Sequence, residues 1–142
     1  MGGLVGMGLG DDSVLSNVYA TGDVWAMDGN VGGLVGVWEL SEMEFGYASG
    51  EVGGGPGPEL RGGVGGVVSG HYVADHMYWD LETAGDWNDG FGDASAPNDA
   101  TGLETDEFAD EESFHEDWDF DDVWTIDEAP DGEDRPIFQW QQ

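Results

Sequence analysis

The chain contains no cysteine and no lysine, and apart from three histidines its basic side chains are Arg61 and Arg135 alone. Without cysteine, disulfides, thiol nucleophiles and thiolate zinc sites are excluded. Two arginines stand against 32 acidic residues, for a formal charge of −30. Nucleic acid is therefore not an expected partner, because affinity for phosphates comes from Lys and Arg, and anionic membrane surfaces are set aside for the same reason. No apolar run approaches the roughly 20 residues that span a bilayer, so membrane insertion is not expected. The first residues lack the basic, apolar and small-residue succession of a secretion signal. No GxSxG, Walker loop or HExxH is present, and His71, His76 and His115 do not follow a metal-ligand spacing. The GMGLG of Gly6 to Gly10 carries Asp11 where a dinucleotide loop needs its third glycine, and a carboxylate there repels phosphate. No catalytic residue is assigned and no enzyme is expected.

What is present is self-similarity. GGLVG at Gly2 to Gly6 returns at Gly32 to Gly36, and YATGDV at Tyr19 to Val24 returns as YASGEV at Tyr47 to Val52. A worn third copy runs from Val64–Val68 to Tyr78 and Trp79. Periods of this length mark arrays in which each unit buries its apolar face against its neighbours. Residues 1 to 70 hold 21 of the 26 glycines, each costing a helix about 1 kcal/mol relative to alanine. The β-prone pieces between them predict an all-β chain: a parallel β-helix or β-solenoid of about three coils, with glycines supplying positive φ at the corners. Tyr19, Tyr47 and Tyr78 are expected to form a ladder with a step of about 4.8 Å.

The paired GGLVG and YATGDV wording resembles the GLUG repeat of bacterial and archaeal secreted and surface proteins. The resemblance continues through Tyr78, Trp79, Asp80, then Thr101, Gly102, Leu103, then Trp118 to Ile126, then Pro136 and Trp140. It departs from that pattern in the GGVVS of the third unit, at Asp75 and His76, and in the insertion Gly53 to Gly63. The resemblance implies a scaffold or spacer module without catalytic residues, located at the cell surface or secreted. The chain opens within a unit, which reads as the C-terminal end of a repeat array. Upstream repeats of the same polypeptide, or self-association through an open N-terminal coil, are then the expected partners.

Charge divides the chain. Residues 1 to 70 hold nine Asp and Glu, and residues 71 to 142 hold 23. Residues 1–80 are read as the solenoid, and 81–142 as an acidic loop and C-terminal cap packed on the stack. The cap core is expected to comprise Trp118, Phe120, Val123, Trp124, Ile126, Ile137, Phe138 and Trp140, with a strand through Trp118, Phe120 and Asp122 and a short helix over 104–112 capped by Thr105. The absence of lysine points to a halophilic, haloarchaeal-like protein whose carboxylates hold hydrating K⁺ or Na⁺, since molar salt shortens the Debye length to about 3 Å and removes the self-repulsion.

Two stretches, 53–63 and 85–100, read as exposed loops. The second carries Asp86, Asn88, Asp89, Asp93 and Asp99, an oxygen-rich set suited to Ca²⁺ although not spaced as an EF-hand. Trp25 and Trp38 are candidates for a surface that binds a glycan or protein. The leading expectation is a non-catalytic structural or adhesive module. The alternatives are a Ca²⁺-binding surface module using 86–99 and a glycan-active β-helix enzyme with a carboxylate pair. Circular dichroism and tryptophan fluorescence, followed from molar KCl to dilute buffer, are expected to show the acidic second half detaching first. Spectra that stay constant over that range would overturn the halophilic assignment.

Overall fold

The computed structural model describes residues 1–10, 13–39, 42–55, 60–69, 74–85, 89–94 and 98–142, and every absence noted below refers to these residues. In chain order the strands are β1 (Val5–Leu9), β2 (Val14–Ala20), β3 (Val24–Ala26), β4 (Val31–Gly32), β5 (Val35–Glu39), β6 (Glu42–Ala48) and β7 (Val52–Gly54). They continue with β8 (Arg61–Gly62), β9 (Gly65–Ser69), β10 (Ala74–Asp80), β11 (Phe91–Ala94), β12 (Asn98–Leu103), β13 (Trp124–Glu128) and β14 (Asp134–Phe138). The chain is all-β, with only short 3-10 turns besides, and no described helix is long and apolar enough to cross a membrane.

The first twelve strands pair in parallel. One sheet has the order β1-β5-β9-β11 and another β2-β6-β10-β12, while β3-β7 and β4-β8 form two-stranded pairs. Register follows the sequence recurrence: Val5 pairs with Val35 and Val35 with Gly65, and Tyr19 pairs with Tyr47 and Tyr47 with Tyr78. The Tyr19 and Tyr47 rings stack at 5.3 Å, 9° from parallel. Leu34, just before β5, and side chains from both four-stranded sheets, among them Val35, Trp38, Met43, Met77, Trp79 and Phe91, form one buried apolar cluster.

Glycine serves this arrangement differently from expectation. Among the described glycines of the first 70 residues, only Gly10 and Gly29 have positive φ. Most of the others stand where there is no room for a side chain. A Cβ on Gly32 would lie 2.2 Å from the Val35 carbonyl oxygen and 2.4 Å from Gly65 Cα, and one on Gly63 would lie 2.2 Å from the Trp79 ring. Close approach between neighbouring segments, more than turning, explains their number.

Positive φ occurs instead at three residues with side chains. Asn17, Phe45 and His76 have φ of 51°, 53° and 52° and occupy one register position across β2, β6 and β10, between the pairs Ser16–Glu44–Asp75 and Val18–Gly46–Met77. At that position β10 carries one more residue than β12, a β-bulge. β2, β6 and β10 share this kink and pair with one another without a register shift, while β12, which lacks the extra residue, pairs with β10 on either side of the bulge. Asn tolerates this conformation, whereas for a ring as large as Phe it is a true outlier.

The remaining differences from expectation are local. Residues 85–100 are not one loop, since β11 and β12 lie within them and extend the two sheets. The 53–63 stretch likewise contributes to β7 and β8, and its residues 56–59 lie outside the described residues. No strand runs through Trp118, Phe120 and Asp122. Asp119 accepts there from the backbone N–H of Asp122 through its carboxylate, and from Val123 and Trp124 through its carbonyl, which turns the chain before the antiparallel pair β13-β14 begins at Trp124. The expected helix is a pair of 3-10 turns, Thr105–Ala109 and Glu111–Ser113, and the first is capped by Glu104, whose N–H donates to Glu107. Thr105 is not the cap because Asp80 takes its hydroxyl. Of the expected cap core, Trp118, Trp124 and Ile137 are buried, but Trp140 is 80% exposed and lies flat against Phe138.

Substituting Gly32→Ala forces backbone to move and is expected to cost about 1–3 kcal/mol, as overpacking does. Gly6→Ala meets open space and is expected to change stability little. Urea unfolding of both variants in molar KCl checks the contrast.

Candidate functional site

Of the residues expected to bind Ca²⁺, Asp89, Asp93 and Asp99 are not brought together. Asp86 and Asn88 lie outside the described residues. Asp93 belongs to β11, opposite Val67 of one sheet, whereas Asp99 belongs to β12 of the other. Asp89 is exposed, with its carbonyl accepting from Gly63. No cluster of metal-binding dimensions joins Asp89, Asp93 and Asp99 among the described residues. Strand formation within 85–100 is the reason, since it sends the carboxylates to different sheets.

Trp38 is buried in the apolar core at 7% exposure, filling the space over Gly8, so it offers no binding face. Trp25 is 59% exposed and lies against Gly53 of the neighbouring strand.

Two polar constellations do form. The first joins β10 to the C-terminal segment. Asp80 and Arg135 are both buried, and Arg135 Nη2 donates to Asp80 Oδ2 at 2.7 Å while its Nε donates to Asp131 Oδ2 at 2.8 Å. Asp80 also accepts from the N–H groups of Glu82 and Thr83 and from the Thr105 hydroxyl. Asp131 takes the Ser49 hydroxyl at 2.9 Å. The Arg135 guanidinium lies 4.9 Å from the Phe108 ring centre, an aromatic face that favours a cation. An open cleft of about 420 Å³ borders this group, lined by Thr21, Ser49, Asp23, Glu51, Glu133 and Arg135 among others. With Arg135 committed to two carboxylates, its charge is not free to neutralise a substrate acid.

The second constellation surrounds the bulge residue His76. Its ring stacks on that of His115 at 3.8 Å, 12° from parallel, and on Phe45 at 5.5 Å. Asp99 Oδ2 lies 3.0 Å from His76 Nδ1, but at an angle that leaves this buried nitrogen without a regular hydrogen bond. On the other side of the ring, His76 Nε2 is 3.7 Å from Asp75 Oδ1 and 3.8 Å from Asp117 Oδ2. His115 Nδ1 is 3.5 Å from that same Asp117 oxygen. The segment is held there by Trp118 Nε1, which donates to the His76 carbonyl, and by the His115 N–H, which donates to the Tyr78 hydroxyl. Burial raises the Tyr78 pKa, an effect partly offset by this hydrogen bond. Burial, chiefly, also pushes Tyr47 well above the ordinary tyrosine range; its hydroxyl donates to the Pro136 carbonyl.

Spacing in the sequence does not reveal either group, because Asp80 and Arg135 are 55 residues apart and His76 and His115 belong to different regions. The available signal for the first is scarcity: one of only two arginines lies beside Pro136, Ile137 and Phe138, in an apolar stretch.

No family model matches the chain, and no curated protein or solved structure is similar to it.

Removing one member of a buried pair strands the other, which typically costs about 3–5 kcal/mol. Asp80→Asn is expected to lower stability by that order. Arg135→Lys is expected to fail to restore it, because an ammonium cannot reach two carboxylates as a planar fork does. Chemical denaturation in molar KCl measures both.

Proposed function

We propose that the chain is a non-catalytic β-solenoid module, a structural or adhesive spacer of a halophilic cell-surface or secreted protein. The observation that carries this is the register: two four-stranded parallel sheets in which equivalent residues of successive segments pair side by side. The GLUG-like wording supports the same conclusion, and the acidic surface supports a coat of K⁺ or Na⁺ in brine.

The free edge supports docking. Leu4, Leu34 and Val64 occupy equivalent places, linked by N–H to carbonyl bonds from Leu4 to Leu34 and from Leu34 to Val64. Leu34 and Val64 are fully buried, but Leu4 is 48% exposed, and Met7 and Leu9 of β1 are each 62% exposed. β1 pairs only with β5, and β2 only with β6, among the described residues. An unpaired apolar edge is a template for further strands, and the occupant that fits is a stack of the same kind, in the simplest case a second copy of the chain.

Sedimentation velocity in molar KCl is expected to show concentration-dependent association of the protein and a monomer for the Leu4→Lys, Leu9→Lys double variant. A monomer at every concentration would remove the docking edge. A second reading, a glycan-active enzyme, draws on the carboxylates Asp23, Glu51, Asp131 and Glu133 around the open cleft. Incubation with a polysaccharide panel is expected to give no cleavage; cleavage lost in Glu133→Gln would favour the enzyme instead.

A further inference from the structure

We propose that His76, His115 and Asp117 bind one divalent transition-metal ion, with Zn²⁺ as its representative and the fourth position left to water, and that Asp99 orients His76 for this purpose. The inference is independent of the scaffold function. It also differs in ligand chemistry from an oxygen-only calcium site.

Distances carry it first. Ligand atoms about 2.0–2.2 Å from a tetrahedral zinc ion stand roughly 3.4 Å from one another. The relevant separations are 3.5 Å from Asp117 Oδ2 to His115 Nδ1 and 3.8 Å from the same oxygen to His76 Nε2. The two separations from Asp117 exceed the ideal edge by only a few tenths of an ångström, and His115 closes the site by rotating out of its stack on His76. His76, His115 and Asp117 each offer one ligand atom within 4.8 Å of the others, and Asp75, His76 and Asp99 form a second overlapping group, so His76 is the hub.

The arrangement behind His76 is the second observation. A metal-bound imidazole commonly presents its other nitrogen to a carboxylate, which fixes the tautomer and the ring. Asp99 Oδ2 stands 3.0 Å from the buried Nδ1, off the line of a regular hydrogen bond, so a turn of the carboxylate lets it accept an Nδ1 proton and leaves Nε2, 3.8 Å from Asp117 Oδ2, for the ion. The ring is confined further by Phe45 and by its position in the bulge row. His115 is the adjustable member: its side chain is 42% exposed. It leaves the parallel stack to aim its lone pair at the ion, exchanging the hydrogen bond from the Asp117 N–H to its Nδ1 for the metal.

Ligand type selects the metal. Ca²⁺ and Mg²⁺ take oxygen ligands, whereas imidazole suits Zn²⁺, Cu²⁺ and Ni²⁺. Two nitrogens within a surface of carboxylates thus distinguish this place from the acidic coat, which attracts any cation.

Calorimetric titration of the full chain with Zn²⁺ in molar KCl, together with the visible absorption of Co²⁺ as a coordination probe, tests the site. One Zn²⁺ per chain is expected, displacing Co²⁺ with intense tetrahedral bands, and Ca²⁺ is expected not to compete. His115→Gln and His76→Asn are each expected to weaken Zn²⁺ by tenfold or more. The second keeps the backbone, because Asn17 already holds the same φ in the same register. Asp99→Asn is expected to weaken binding about 10–100-fold, as loss of an orienting carboxylate does, and the exposed Asp127→Asn to leave it unchanged. No Zn²⁺ heat above a Mg²⁺ control, affinity retained in both histidine variants, or equal loss in Asp127→Asn would overturn the proposal.

Discussion

Close approach of backbone to backbone is the constraint on which the rest of the structure depends. Gly32 of one segment faces Gly65 of the next, and Gly33 faces Gly63, at distances that no Cβ fits. Parallel strands spaced about 4.8 Å apart can pair residue for residue along three successive segments only if such crowded points carry no side chain. The alignment of Leu34 with Val64, of Tyr19 with Tyr47, and of the positive-φ residues Asn17, Phe45 and His76 follows from that approach. The cost is conformational entropy, which glycine loses more heavily than other residues on folding. The buried cluster between the two large sheets offsets it.

The same register decides how a heavily acidic C-terminal half can stay attached. One of the two arginines is buried between Asp80 and Asp131 with most of the carboxylate valences of Asp80 satisfied. Around it Tyr47, Tyr78, Phe108, Phe114, Trp118 and Trp124 form a second apolar cluster. Surface repulsion is screened by salt, but a desolvated pair responds to ionic strength much less. Attachment therefore combines a salt-sensitive exterior with a salt-insensitive seam.

The bulge row links these layers to the proposed chemistry. Asn17, Phe45 and His76 share one backbone conformation yet meet different partners: Asn17 accepts from Trp124 Nε1, Phe45 stacks on His76, and His76 stacks on His115. One repeated kink thus presents three chemistries along a single line, and only the third carries nitrogen ligands among carboxylates.

The all-β class and the parallel alignment of tyrosines were legible in the spacing of GGLVG and of Tyr-Ala-Ser/Thr-Gly, because period and glycine placement are properties of the chain order alone. By composition the 85–100 stretch reads as a loop, whereas Phe91 and Asn98 to Leu103 extend existing strands, which puts Asp93 and Asp99 in different sheets. Trp25 and Trp38 each lie over a glycine of the neighbouring strand, so that feature does not separate them; Trp38 is buried because it joins the cluster between the two large sheets, which Trp25 does not.

By itself, then, the amino-acid order determined the class, the pairing period and the anionic character, all of which depend on neighbours along the chain or on composition. Tertiary structure alone decided that Asp80 meets Arg135, that His76 meets His115 and Asp99, and that 85–100 divides between two sheets. Those contacts join residues far apart in sequence, and their distances are set by sheet register and by the docking of the C-terminal segment, neither of which is written into any local spacing.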